Sequence, residues 1–242
     1  MKSLHRMRRL VSRRTGGLRR ISSKLKSALN LNNPRVFVVG RNKTGTTSMK
    51  KVLRQLGYRV GSQRAAERLT PDWARRDFRS LIDYCHSAEA FQDVPFSYPF
   101  TYQALDYAFP GSRFILTIRD SEDQWYESVT RFAAKRLEKR LGERRLPTWQ
   151  EIQEDSYVWK GWSYQNQIFR FGQEVLQQDP HDRDRLITDY RLHNESVVNY
   201  FRNRPDDLLV INVSSPDAMQ KVCKFLGKPD NGLSMPWENA TG

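Results

Sequence analysis

Short apolar runs bounded by glycine or proline recur along the chain, separated by longer stretches whose apolar residues fall at helical spacing. Arg35–Val39 (RVFVV) is a β-branched run of the kind that makes a strand buried on both faces, and Gly40 ends it. Met49, Val52, Leu53 and Leu56 then recur at helical spacing from Thr46 to the stop at Gly57. Tyr58–Val60 predicts a short strand, and residues 62–83 a mixed-charge helix broken at Thr70-Pro71. Ala90–Val94 predicts a strand closed by Pro95, and Tyr98–Phe109 a helix stopped by Pro110-Gly111. Arg113–Arg119 (RFILTIR) is the second strong buried strand, followed by a helix with an acidic start at Ser121–Phe132. Residues 135–204 read as helical and aromatic, ending in an amphipathic helix over 183–203. Asp207–Val213 is the last strand, and Ser214–Leu226 a final helix capped by Ser214 or Ser215 and stopped by Gly227. Alternating strands and helices predict an α/β fold around a parallel sheet.

Charge separates one segment from the rest. The net charge is +14, yet the first acidic residue is Glu67, and residues 1–66 carry 18 Lys and Arg. The remainder carries 23 basic and 27 acidic residues. Within residues 1–31, Leu4, Met7, Val11, Leu18, Ile21, Leu25 and Ala28 form one helical stripe against a basic face, interrupted by Gly16-Gly17. Residues 1–33 are therefore expected to be a basic extension, amphipathic or disordered, joined through Asn30–Pro34 to a domain over 34–242. Such a segment suits an anionic membrane surface or a transit peptide; nucleic acid is the less favoured partner. No apolar run is long enough for a membrane span. The two cysteines and four histidines match no disulfide framework or zinc spacing, so no metal is expected and a reducing, cytoplasmic setting is favoured.

The chemistry concentrates at residues 35–50. Strand, tight loop and helix aim loop N–H groups and a helix N-terminus at one point, an anion site by geometry and dipole. A nucleoside-triphosphate P-loop needs lysine directly after its second glycine. Gly40 and Gly45 have that separation, but Thr46 stands where the lysine belongs and Lys43 lies two residues before the second glycine. Asp93, at the end of a strand, lies where α/β sheets bind ligands and is the candidate general base, with His86 and Glu89 in reserve. In the middle of the chain, Trp149, Tyr157, Trp159, Trp162, Tyr164, Phe169 and Phe171 form either an acceptor pocket or, for most of them, a packing face. The run Arg131, Lys135, Arg136, Lys139, Arg140, Arg144 and Arg145 reads as a solvated basic helix.

Lys43-Thr44-Gly45-Thr46-Thr47-Ser48 resembles the 5′-phosphosulfate loop of sulfotransferases that use 3′-phosphoadenosine 5′-phosphosulfate (PAPS). Arg119 and Ser128 resemble the strand-end Arg and helical Ser that hold the donor's 3′-phosphate in that family. Their separation is one residue longer than usual, and Ser121 replaces a proline after Arg119-Asp120, so either Ser128 or Ser121 can be the phosphate partner. The resemblance covers residues 34–242 and implies a P-loop-like three-layer fold and sulfuryl transfer from PAPS to a hydroxyl or amine. It implies Lys43 as the charge on the leaving phosphate, with Thr44, Gly45, Thr46, Thr47 and Ser48 around it. The acceptor, a small molecule, lipid or glycan, stays open. A P-loop kinase, or a surface-binding protein with a vestigial loop, are the other readings.

Overall fold

The structure, a computed structural model, describes residues 33–230 and 232–236; the basic segment 1–31 and the end of the tail lie outside the described residues. Four parallel strands form the sheet: β1 (Val36–Val38), β2 (Ala90–Gln92), β3 (Arg113–Ile118) and β4 (Leu208–Asn212), in the order β2-β1-β3-β4. Strand pairing runs Val38↔Gln92 on one side of β1 and Val38↔Ile115 on the other, and Ile118↔Asn212 at the far end of β3.

Because side chains alternate across a strand, β1 feeds two cores. Phe37 lies among Phe91, Phe96, Phe109 and Phe114, with ring centroids 5.4–6.1 Å away. That face is covered by α4 (Arg79–Cys85), α5 (Thr101–Ala108) and α9 (Arg183–Phe201). Val36 and Val38 face α1 (Thr46–Gln55) and α10 (Ala218–Phe225) through Met49, Val52, Leu53 and Val222. The result is the expected α/β three-layer arrangement around a parallel sheet. The chain leaves β1 for β2 on one side and returns to β3 on the other, so the loop after β1 sits at the switch point, where such sheets open a crevice.

Several elements differ from the sequence reading. Tyr58–Val60 is not a strand: it meets β2 only as an isolated bridge of Val60 to Ala90, flanked by the bonds Ala90 N–H to Arg59 O and Gly61 N–H to Ala90 O. Residues 62–83 break into α2 (Gln63–Glu67), α3 (Thr70–Ala74) and the start of α4, with Ser62 capping the first. Strand β2 ends at Gln92 because Asp93 takes a left-handed φ of 67°. The acidic-start helix and the basic run as far as Arg140 are one helix, α6 (Glu122–Leu141), capped by Ser121 and closed by Gly142, with Arg144 and Arg145 beyond its end. It packs against α9, while α7 (Trp149–Glu154) and α8 (Trp162–Phe171) pack on each other. The last helix begins at Ala218, not Ser214, with Asp217 at its N-cap and no side-chain cap; Ser214 and Ser215 belong to the turn before it, where their N–H groups donate to Asn212. Among the described residues, no helix is long and apolar enough to cross a membrane.

One buried ion network holds the layer containing α9 to the crevice. Arg41, 2% exposed, donates to Ser97 O at 2.7 Å and to Asp189 Oδ1 on α9 at 2.8 Å. Arg170 on α8 pairs with the other oxygen of Asp189. Burial pulls the Arg41 guanidinium down to about 10 against the opposing pull of Asp189. At Asp189 burial pushes the carboxyl up, but Arg170 and Arg41 outweigh it and hold the group below its ordinary range. Removing the carboxylate leaves a buried cation uncompensated, which is far costlier than losing a surface pair. Asp189→Asn is expected to lower the unfolding free energy in urea by about 3–5 kcal/mol, whereas Arg79→Gln, whose partner Asp77 is on the surface, should leave it nearly unchanged.

Candidate active site

The loop after β1 is shaped by what it touches. A Cβ at Gly40 would lie 2.1 Å from Thr117 Oγ1 on β3, and one at Gly45 would lie 2.3 Å from Val213 Cγ2 just past β4. Both glycines let the backbone press against neighbouring strand ends, and Gly45 also needs its φ of 99°. Lys43 sits at φ 70°, a conformation that costs an L side chain roughly 1–2 kcal/mol.

Three consecutive loop carbonyls hold that shape. Arg41 O accepts from Thr44 Oγ1 (2.5 Å), Asn42 O from Trp125 Nε1 (2.9 Å) and Lys43 O from Arg119 Nε (2.7 Å). The last two donors are themselves braced. Trp125 stacks on Tyr190 at 4.5 Å and 11°, and the Tyr190 hydroxyl accepts the Arg119 backbone N–H at 3.0 Å. On the far side of the loop, the buried His193 ring donates from Nε2 to Val39 O at 2.8 Å; burial, with Arg41 nearby, drives its pKa down to about 3, so it stays neutral.

Helix α1 starts from Gly45 with no side-chain cap and no acidic residue in its first turn. Its first intrahelical bond is Met49 N to Gly45 O, so the preceding amides have no partner within the helix. Beside this positive end lie Lys43 and Arg119. The Lys43 ammonium rests over the Phe132 ring at 4.2 Å; burial, then Arg119, holds its pKa below the ordinary lysine value. Burial also lowers Arg119.

A cavity of about 390 Å³ opens here. Lys43, Gly45, Thr46, Thr47, Arg119 and Asp93 all line it. Thr44, Ser48 and Ser128 do not: Thr44 turns inward onto Thr117 Oγ1 (2.6 Å), Ser48 is buried within α1, and Ser128 is half-buried on α6. The hydroxyl of Ser121 accepts Gln124 N–H at 3.1 Å as the cap of α6, which ties it to the helix start.

Asp93 is partly buried beside the loop. Its Oδ1 accepts Val94 N–H at 2.9 Å, and its Oδ2 accepts from Gln63 Nε2 at 3.1 Å and more weakly from Thr46 Oγ1 at 3.4 Å. Burial raises its pKa above the usual carboxylate value, against the pull of Val94 N–H, Thr46 and Lys43. His86 and Glu89 precede β2 and so lie at the opposite end of the parallel sheet from the loop; His86 packs edge-on to Phe109 and Glu89 accepts Arg59 N–H. Neither reserve base reaches the site.

Of the seven aromatics in the middle of the chain, Tyr157 and Trp162 line the cavity. Trp159, Phe169 and Phe171 pack into apolar clusters, while Trp149 and Tyr164 meet edge-to-face. The basic run is largely paired: Arg136 binds Asp155 and lies over Tyr157, Arg140 donates to Glu151 O, and Arg145 pairs with Glu151. Sequence reasoning missed Gln63 and Glu67 in the cavity wall, and Trp125 as the holder of Asn42. Helical spacing hid them among ordinary surface and core positions.

The sulfotransferase domain model matches residues 35–242 of the chain. No curated protein matches the chain. A match over that span, around a loop built to receive an anion, shows that the chain belongs to the sulfotransferase domain family, whose reaction is the transfer of sulfuryl groups.

Proposed function

We propose that the chain moves the sulfuryl group of PAPS to a hydroxyl or amine acceptor by in-line displacement. The observation that carries this reading is the convergence of Lys43, Arg119 and the uncapped start of α1 on one cavity that the Asp93 carboxyl also lines. The transition state of such a transfer is loose, so the enzyme's work is to position the reactants and to stabilise charge on the leaving phosphate oxygen. Lys43 and the amides from Gly45 to Ser48 supply that charge stabilisation; Thr44 and Ser48 take part through backbone only. Arg119, its Nε committed to the loop, offers its two terminal nitrogens as the fork for the 3′-phosphate; Ser128 and Ser121 both stand outside the cavity wall, so the fork acts without a serine from the wall. Asp93, whose burial raises its affinity for protons, is the base that takes the acceptor's proton.

The product nucleotide, 3′-phosphoadenosine 5′-phosphate, tests the donor site by thermal unfolding. At about 100 times its Kd it should stabilise the protein by about 2.7 kcal/mol, a shift of roughly 5–10 °C. Lys43→Ala and Arg119→Ala should each shrink the shift. A shift obtained with ATP and magnesium but not with the product nucleotide refutes the reading in favour of a kinase.

Lys43 also sets a pH dependence. An anion favours the ammonium form, so affinity is full while free Lys43 is protonated and falls as pH rises through its lowered pKa. Titration calorimetry should therefore show nucleotide affinity declining from a pH below the ordinary lysine value of 10.5, with Lys43→Arg remaining flat over the same range. For the base, Asp93→Asn should bind product nucleotide normally yet lose about 10²–10⁴-fold in sulfuryl transfer to a panel of phenols and sugars.

A further inference from the structure

Asp93 does not face the cavity alone. Gln63, on the first turn of α2, donates from Nε2 to Asp93 Oδ2 at 3.1 Å and to Glu67 Oε1 at 3.0 Å. Two carboxylates accept only, so the amide must present its NH₂ to them. Its own oxygen then accepts Gln92 Nε2 at 3.2 Å, from the last residue of β2. Glu67 is 2% exposed, and both carboxyls line the cavity that Lys43 enters. We propose that Asp93 works as one half of a carboxylate pair positioned by Gln63, whose amide gives one N–H to Asp93 and the other to Glu67 in the cavity wall. This rests on Asp93 acting as the base.

The arrangement has two effects of opposite sign. The Gln63 N–H stabilises the ionised form of each carboxyl and aims Asp93 Oδ2. The Asp93 charge disfavours ionisation of Glu67, and because the repulsion of two like charges is mutual, an ionised Glu67 opposes ionisation of Asp93 in turn. The other charged or titratable groups facing Asp93 are Lys43 from the loop, Lys50 from α1, and the hydroxyls of Tyr98 and Tyr157; Arg64 faces Glu67. Lys43 and Lys50 oppose Glu67 at Asp93. Gln63 keeps the two carboxyls within reach of one amide, so the proton of an acceptor is received by a group that a second carboxyl has made more basic.

The test is a ¹³C-carboxyl NMR titration of the full chain, with the Asp93 signal assigned by its loss in Asp93→Asn. Glu67→Gln removes the like charge and should lower the Asp93 midpoint by about one pH unit. Gln63→Met removes the donor and should raise it. Simple loosening of the pocket lets in water and moves both variants down together, so opposite movements are what a structural role does not give. An Asp93 midpoint that is unmoved or raised in Glu67→Gln overturns the pair, as does a fall in both variants; if Gln63→Met does not fold, Gln63→Ala, which also removes the donor, takes its arm. The base assignment is judged separately, by sulfuryl transfer in Asp93→Asn, so loss of the pair and loss of the base give different results.

Discussion

The site depends on three carbonyls. Arg41, Asn42 and Lys43 place their C=O groups against Thr44, Trp125 and Arg119. A planar peptide ties the direction of each N–H to that of the C=O before it, so the three bonds fix the path by which the chain enters α1. They also hold Lys43 in a conformation it would not choose alone. The donors come from α6, from β3 and from the loop itself, which makes the loop the meeting point of elements distant in sequence.

Much of this fold was legible because its determinants are local. The apolar runs at Arg35–Val39 and Arg113–Arg119 mark strands whatever surrounds them, and Gly40 and Gly45 mark the tight turn between β1 and α1. What stayed hidden was tertiary. Tyr58–Val60 has strand composition but only one residue with an edge to pair against. Ser214 looked like a cap because serine before an apolar stripe usually is one; Asn212 had already taken the turn's N–H groups.

The site divides the same way. Lys43 and Arg119 were readable from motif, and Asp93 from its place after a strand. His86 and Glu89 were close to Asp93 in sequence yet a strand-length away in space. Glu67 read as one charge in a mixed-charge helix; nothing local says that α2 turns that carboxyl, with Gln63, into the cavity. Likewise Arg136 and Arg140 read as solvated, because their partners Asp155 and Glu151 belong to another element.

The Arg119 side chain belongs to two places at once, gripping the Lys43 carbonyl through Nε while standing at the end of β3. For anyone redesigning the pocket, the Arg119 and Lys43 ends of the cavity are thus a single mechanical part. An exchange of Arg119 intended to retune ligand choice at one end would release the peptide that aims Lys43 at the other, so variants of that position are better built on a background in which a replacement hydrogen-bond donor first re-anchors the loop.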